Sequence, residues 1–197
     1  MKIDIQGAKT WREAVPIRKG EMNSRIYGNW PCERIDLSHR TFIKLRDGKY
    51  SRGKRIVGHL EIESKQEERP KCRVYAVKEE PILVYEIESK VNPLQLCLSY
   101  RAENKADYKN YNIGGLFFTS EQENCILCGK IAVQTNGFTK ADTQGITVKN
   151  ATKVNLYIMM DMTVVIKASQ KDQAMLDLQM QMNRKLVRFE SKFKKQD

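Results

Sequence analysis

Hydrophobic and polar positions alternate along most of this chain with the two-residue period of strands that bury one face. The pattern is densest from Lys130 to Val165, KIAVQTNGFTKADTQGITVKNATKVNLYIMMDMTVV. Ile131 and Val133 alternate with polar neighbours, Asn136-Gly137 interrupts them, Ile146 and Val148 resume, and Val154, Leu156 and Ile158 continue after Asn150-Ala151-Thr152. Three strand-like runs with turn residues at each joint predict a hairpin-rich antiparallel sheet with one wet and one buried face.

The rest of the chain extends this reading. A short strand is expected at Lys2 to Ile5, a helical or irregular segment at Trp11 to Ile17, and a loop around Tyr27-Gly28-Asn29 closed by Pro31. From Glu33 onward Ile35, Leu37 and then Phe42 or Ile43 alternate, and Asp47-Gly48 offers a hairpin turn into a second arm ending at Ile56-Val57. Gly58 to Ser64 reads as a strand with Leu60 and Ile62 inward. Cys72, Val74 and Ala76 alternate with Arg73, Tyr75 and Val77, and after Glu79-Glu80-Pro81 the run Leu83 to Glu88 answers them as the second arm of a hairpin. Asn92-Pro93 breaks the chain before the alternating Leu94, Leu96, Leu98 and Tyr100, which a polar loop from Arg101 to Asn112 follows. Gly114-Gly115 leads into Leu116-Phe117-Phe118, and Asn124 to Val133 supplies a further strand. Strands at this density predict an all-β fold, an antiparallel sandwich over residues 1–168, with the first thirty residues or so irregular.

From Ser169 the period changes. Met175, Leu178, Met182, Leu186, Phe189 and Phe193 recur at steps of three and four, which predicts an amphipathic helix over 169–197 with Lys and Arg on its opposite face. Such a helix reads as a linker that leaves the sandwich and seeks a docking surface.

Composition narrows the function more than the fold. At 197 residues, with 41% hydrophobic and 30% charged positions, the chain has enough apolar material for one substantial core. No run reaches the roughly 18 apolar residues of a membrane span, and MKIDIQGAKTWREAV lacks the apolar centre of a secretory signal. The expectation is a cytoplasmic product, or an extracellular or periplasmic one if the chain is a fragment of an exported enzyme. The odd cysteine count (Cys32, Cys72, Cys97, Cys125, Cys128) suits reduced, structural thiols. A net charge of +11 raises nucleic-acid binding through Lys44 to Arg55 and the basic helix, but scattered cations read first as solvated faces.

Candidate chemistry is sparse. Cys125 and Cys128 form a C-x-x-C pair without a second pair or nearby histidines, and residues three apart on a strand point to opposite faces, so neither a metal nor a redox site is expected. His39 and His59 read as surface strand histidines. Glu61 with Glu63, and Glu86 with Glu88, share strand faces, and alternation with apolar neighbours places them on the wet side. The late methionines, Met159, Met160, Met162, Met175, Met180 and Met182, are expected to fill the core or dock the helix. No phosphate-binding, nucleophile-elbow or zincin motif occurs, so a self-contained enzyme is not expected, and neither a cofactor nor a metal is assigned. The strongest binding candidates are aromatic and amide residues around the loop, Tyr100, Asn104, Tyr108, Asn110, Tyr111 and Asn112, with Trp30 nearby in type. Flat apolar rings beside amide donors suit a glycan.

The order of pieces resembles a known family. CRVYAVKEEPILVYEIESKVNPLQLCLSY is similar to a strand pair in the N-terminal β-sandwich of glycoside hydrolase families 65 and 95, the α-L-fucosidase-like enzymes. GKIAVQTNGFTKADTQGITVKNATKVNLYIMMDMTVV resembles a later part of that domain through Gly137, Asn150-Ala151 and Thr163, and LVRFESKFKK looks like the helix that leaves it for an (α/α)6 barrel. The likeness covers about Arg69 to Lys195; the family's early G-N-G-x-L-G segment is missing, and Asn183-Arg184 stands where a histidine is usual. The resemblance implies a supersandwich-like fold and a truncated or stand-alone non-catalytic domain that supports carbohydrate processing, with a helical-barrel catalytic domain docking on the C-terminal helix. The family's hydrolytic residues belong to the barrel, so none is carried over. The rival readings are a carbohydrate-binding module and, behind it, a basic nucleic-acid-binding protein.

Overall fold

The computed structural model describes residues 2–4, 7–10, 12–40, 45–46, 49–50, 56–103, 108–122, 125–165 and 167–193. In chain order its strands are β1 (Ile3–Asp4), β2 (Val15–Lys19), β3 (Met22–Ile26), β4 (Cys32–His39), β5 (Leu45–Arg46), β6 (Lys49–Tyr50), β7 (Ile56–Ser64) and β8 (Lys71–Ala76). They continue with β9 (Leu83–Glu88), β10 (Leu94–Ala102), β11 (Tyr108–Asn112), β12 (Gly115–Gln122), β13 (Cys125–Thr135), β14 (Phe138–Ala141), β15 (Ile146–Ala151) and β16 (Lys153–Val164). One helix, α1 (Lys171–Phe193), follows a short 3-10 turn. Two seven-stranded antiparallel sheets form the body. Sheet I runs β1-β8-β9-β16-β13-β12-β11 and sheet II runs β14-β15-β10-β7-β4-β3-β2, with β5 and β6 as a separate small hairpin. The all-β sandwich with a C-terminal helix expected from the sequence is the observed architecture.

The core lies between the inner faces of the sheets. Ile26, Ile35, Leu37, Leu60, Ile62, Leu96 and Leu98 from sheet II meet Val74, Tyr85, Ile87, Leu156 and Ile158 from sheet I. Sheet II keeps the predicted wet outer face: along β10 buried Leu94, Leu96, Leu98 and Tyr100 alternate with exposed or half-exposed partners. Sheet I does not. β16 is buried at five consecutive positions because α1 lies over its outer face, where Leu178, Met182, Leu186 and Phe189 pack on Ile82, Val84, Phe117, Ile126, Cys128, Tyr157 and Met159. The helix therefore spends its apolar stripe on the chain's own sheet. Each such side chain, once fully buried, contributes about 1.5–3 kcal/mol. The side chain of Phe193 lies outside the described residues.

The Lys130 to Val165 stretch holds four strands, not three, and they belong to both sheets. β13 pairs with β16 from Cys125↔Val164 to Thr135↔Val154, whereas β14 and β15 form a hairpin in sheet II. Asn136-Gly137 is thus a crossing between sheets. The return crossing at Ala151 to Lys153 lies against it, and the Asn136 side chain clasps the two: its Oδ1 accepts the backbone N–H of Thr152 and Lys153, each at 3.0 Å, and its Nδ2 donates to Thr152 Oγ1 at 2.7 Å. A Cβ on Gly137 would lie 2.4 Å from the Lys149 carbonyl oxygen and 2.8 Å from Ala151, so the approach of the two crossings requires glycine.

Two further expectations change. The first thirty residues contain an edge hairpin, β2 with β3, whose Ile17, Met22 and Ile26 enter the core. Its alternation is broken in the sequence by Pro16, which an edge strand tolerates, and by the polar run Asn23-Ser24-Arg25. The polar segment after Tyr100 is not one loop: β10 runs on to Ala102, and Tyr108 to Asn112 form β11, an edge strand of sheet I. The Asp47-Gly48 turn and most of the basic segment from Lys44 to Arg55 lie outside the described residues, though β5 and β6 on either side of the turn pair in hairpin register.

Candidate functional site

Where α1 ends, the outer face of sheet I turns polar. The register puts Arg73, Glu86, Asn155 and Gln134 in one row across β8, β9, β16 and β13, since Arg73 pairs with Glu86, Glu86 with Asn155, and Asn155 with Gln134. Residues directly opposite in an antiparallel pair share a face, so the four side chains line up on the helix side of the sheet. With Lys2, Tyr75, Asn136, Lys153, Tyr157 and Glu190 they line a cleft of about 450 Å³.

Glu86 sits at the centre. Its carboxylate is only 8% exposed. It accepts from Lys2 Nζ at 3.2 Å and the Tyr75 hydroxyl at 3.0 Å, and Arg73 Nε lies 3.1 Å away. Arg73 also reaches Glu88 at 3.4 Å, and Lys2 lies over the Tyr75 ring, 4.7 Å from its centre. The wet face expected for Glu86 and Glu88 is therefore corrected at Glu86, which is buried in an ion-pair row, while Glu88 at its edge keeps its side chain 38% exposed. A buried carboxylate is tolerated because two cations and a hydroxyl replace its water. Burial raises the Tyr75 phenol, and the charge of Glu86 and its hydrogen bond add to the rise. The Tyr157 hydroxyl donates to Gln134 Oε1 at 2.5 Å while its ring meets Phe189 edge-on, centres 5.4 Å apart. Asn155 Oδ1 is buried in the floor without a protein partner. The cleft thus brings amides, hydroxyls and paired charges together over one patch of sheet I.

The residues singled out in the sequence are spread over different environments. Tyr100 is fully buried, stacked on Phe118 with ring centres 4.2 Å apart, and belongs to the core. Tyr111 is half-buried behind it, its hydroxyl accepting the Tyr100 N–H at 2.8 Å. Asn112 is exposed and caps its own turn by accepting the Gly114 N–H at 3.0 Å. Tyr108 and Asn110 are exposed on β11 and line a second cleft of about 410 Å³ against the start of α1, with Phe117, Thr119 and Lys171. Asn104 lies outside the described residues. Trp30 packs on the core and donates its indole N–H to the Gln66 carbonyl at 2.9 Å.

Other expectations fare variously. Cys125 and Cys128 face opposite sides of β13, Cys125 toward the sandwich core and Cys128 toward the helix, where burial pushes its thiol up to about 12. All five cysteines are free. His39 is not a surface residue: it is 5% exposed, and burial lowers its pKa against the opposing pull of Glu21 and Asp161. Half-buried His59 lies 3.3 Å from Glu61, which Arg101 also reaches at 2.8 Å. Asn183 accepts a hydrogen bond from Lys130 under the helix. Among the described residues no group of three or more His, Cys, Asp or Glu is placed to hold a metal, and no helix is long and apolar enough to cross a membrane.

No family model matches the chain, and no curated protein matches it. The cleft escaped the sequence reading because its parts come from six separated segments. The one local signal was Glu86 inside ILVYEI, a charge within an otherwise apolar strand, and its cross-strand partner Arg73 follows only from the hairpin register.

Proposed function

We propose that this chain is a non-catalytic β-sandwich of glycoside-hydrolase type that binds carbohydrate in the cleft around Glu86. The observation that carries the reading is the row Arg73, Glu86, Asn155 and Gln134 with the Tyr75 and Tyr157 hydroxyls, a fixed set of donors and acceptors at the spacing of adjacent strands. Sugars present donors and acceptors on neighbouring carbons, and a floor already held by ion pairs meets them without reordering. The resemblance of the Arg69 to Lys195 region to the sandwich of α-L-fucosidase-like enzymes supports the same ligand class.

A catalytic partner, in this reading, rests on the outer side of α1. The inward stripe is occupied by sheet I, but Leu176, Met180 and Val187 are 49%, 40% and 63% exposed on the opposite side of the helix. They recur at steps of four and seven and so share one face. Isothermal titration with neutral and acidic oligosaccharides tests the binding reading. A heat of binding that Asn155→Ala and Gln134→Ala each reduce is expected; no heat with any glycan overturns it.

A further inference from the structure

The fold leaves one sheet edge open. β11, at the end of sheet I, pairs with β12 in unbroken register from Tyr108↔Thr119 to Asn112↔Gly115, and among the described residues no backbone hydrogen bond is made along its other edge. Antiparallel pairing turns the N–H and C=O of alternate residues away from the partner strand, so that edge presents donors and acceptors ready for another strand. Proline, bulges and outward charges commonly blunt such edges. The edge strand β2 of sheet II carries Pro16, Arg18 and Lys19. β11 has no proline and no bulge, and its one charge is turned back into the chain: Lys109 donates to the Tyr100 carbonyl at 3.0 Å and lies 5.7 Å from the centre of the Tyr111 ring. Apolar surface surrounds the edge. Tyr108, Ile113 and Leu176 are 56%, 68% and 49% exposed, and Tyr108 and Leu176 line the cleft between β11 and the start of α1.

We propose that β11 pairs antiparallel with β11 of a second copy of this chain about a two-fold axis at Asn110, joining the two copies of sheet I into one continuous sheet. The strand is complementary to itself. Tyr108, Asn110 and Asn112 lie on the helix side, opposite Thr119, Phe117 and Gly115, whereas Lys109 and Tyr111 lie on the core side with Phe118 and Leu116. In the proposed register Asn110 faces Asn110 and Tyr108 faces Asn112, so amides and phenol hydroxyls meet on one side of the sheet. Lys109 faces Tyr111 on the other, where a cation meets an aromatic ring and no charge opposes its like. The same rotation carries Ile113 of each copy just past Tyr108 of the other, so these exposed apolar side chains shield one another. A closed two-fold contact of this kind uses the same residues on both copies and leaves no open β11 edge.

The test uses the full chain with the exposed thiols Cys32 and Cys97 replaced by serine, and reads its oligomeric state by sedimentation up to about 0.1 mM, where association of micromolar strength is nearly complete. A monomer–dimer equilibrium is expected. Asn110→Lys sets two ammonium groups across the axis and should weaken the dimer about fivefold. Asn110→Glu should do the same, and an equal mixture of the two variants should regain the dimer, which a folding defect could not produce. Asn110→Cys should cross-link on mild oxidation because residue 110 faces its own copy within disulfide reach, and Asn112→Cys should not, since the two copies of that position lie about 13 Å apart along the strands. Three results would overturn the proposal: a monomer at every concentration, which leaves the edge to an extended segment of another protein; a dimer indifferent to both charge variants; or equal cross-linking at 110 and 112.

Discussion

Buried polar residues tie the two sheets together within the apolar core. Glu33 on β4 accepts the Tyr85 hydroxyl from β9 at 2.7 Å, across the sandwich, together with the backbone N–H of Gly28 at 2.7 Å and of Arg34 at 2.9 Å. Burial nevertheless outweighs these bonds and raises the Glu33 pKa. A carboxyl whose folded pKa exceeds its unfolded value near ~4.3 contributes stability that is complete below that value and is lost as pH rises through the folded pKa. Glu33→Gln should remove this contribution, so the urea-midpoint difference between wild type and variant should move in the variant's favour as pH rises from about 4 to 7. Parallel pH profiles would show that Glu33 is not the group responsible. Glu33 was legible as a strand residue but not as a buried one, because its cross-sheet partner is 52 positions away.

Single strands were readable from their own alternation, and their neighbours, the β8–β9 hairpin apart, were not. β8 with β9, β7, β10 and the helix stand where period two or three-to-four predicts them. What local pattern could not supply is which face a distant element covers. Sheet I looks half-wet on paper, yet α1 buries its outer side, and the near-continuous apolar run NLYIMM in β16 was the trace of that second burial. The same ignorance of partners made Asn136-Gly137 look like a hairpin turn and α1 look like a linker seeking a surface. The docking of α1 sets a sharp expectation: Met182→Ala or Leu186→Ala should cost about 2–5 kcal/mol in urea unfolding, as large-to-small changes in a packed interface do. Val187→Ser, 63% exposed, should stay within about 0.5 kcal/mol. Equal effects for the two classes would mean that the helix does not rest on the sheet in solution.

At the scale of the molecule, the division between a covered and an uncovered part of sheet I creates the site. The last described turns of α1 bring Phe189 onto Tyr157 and Glu190 to the rim, so the helix is both a layer of the core and a wall of the polar cleft. The aromatic and amide residues that composition alone favoured are split between core, turn and a separate edge-strand cleft, because side-chain type does not reveal which face of a strand is turned inward. The most direct measurement is chemical-shift mapping of the isotope-labelled chain during titration with oligosaccharides. The account predicts perturbations centred on Arg73, Tyr75, Gln134, Asn155 and Tyr157. Perturbations centred on Tyr108 to Asn112, or none at saturating glycan, would contradict it.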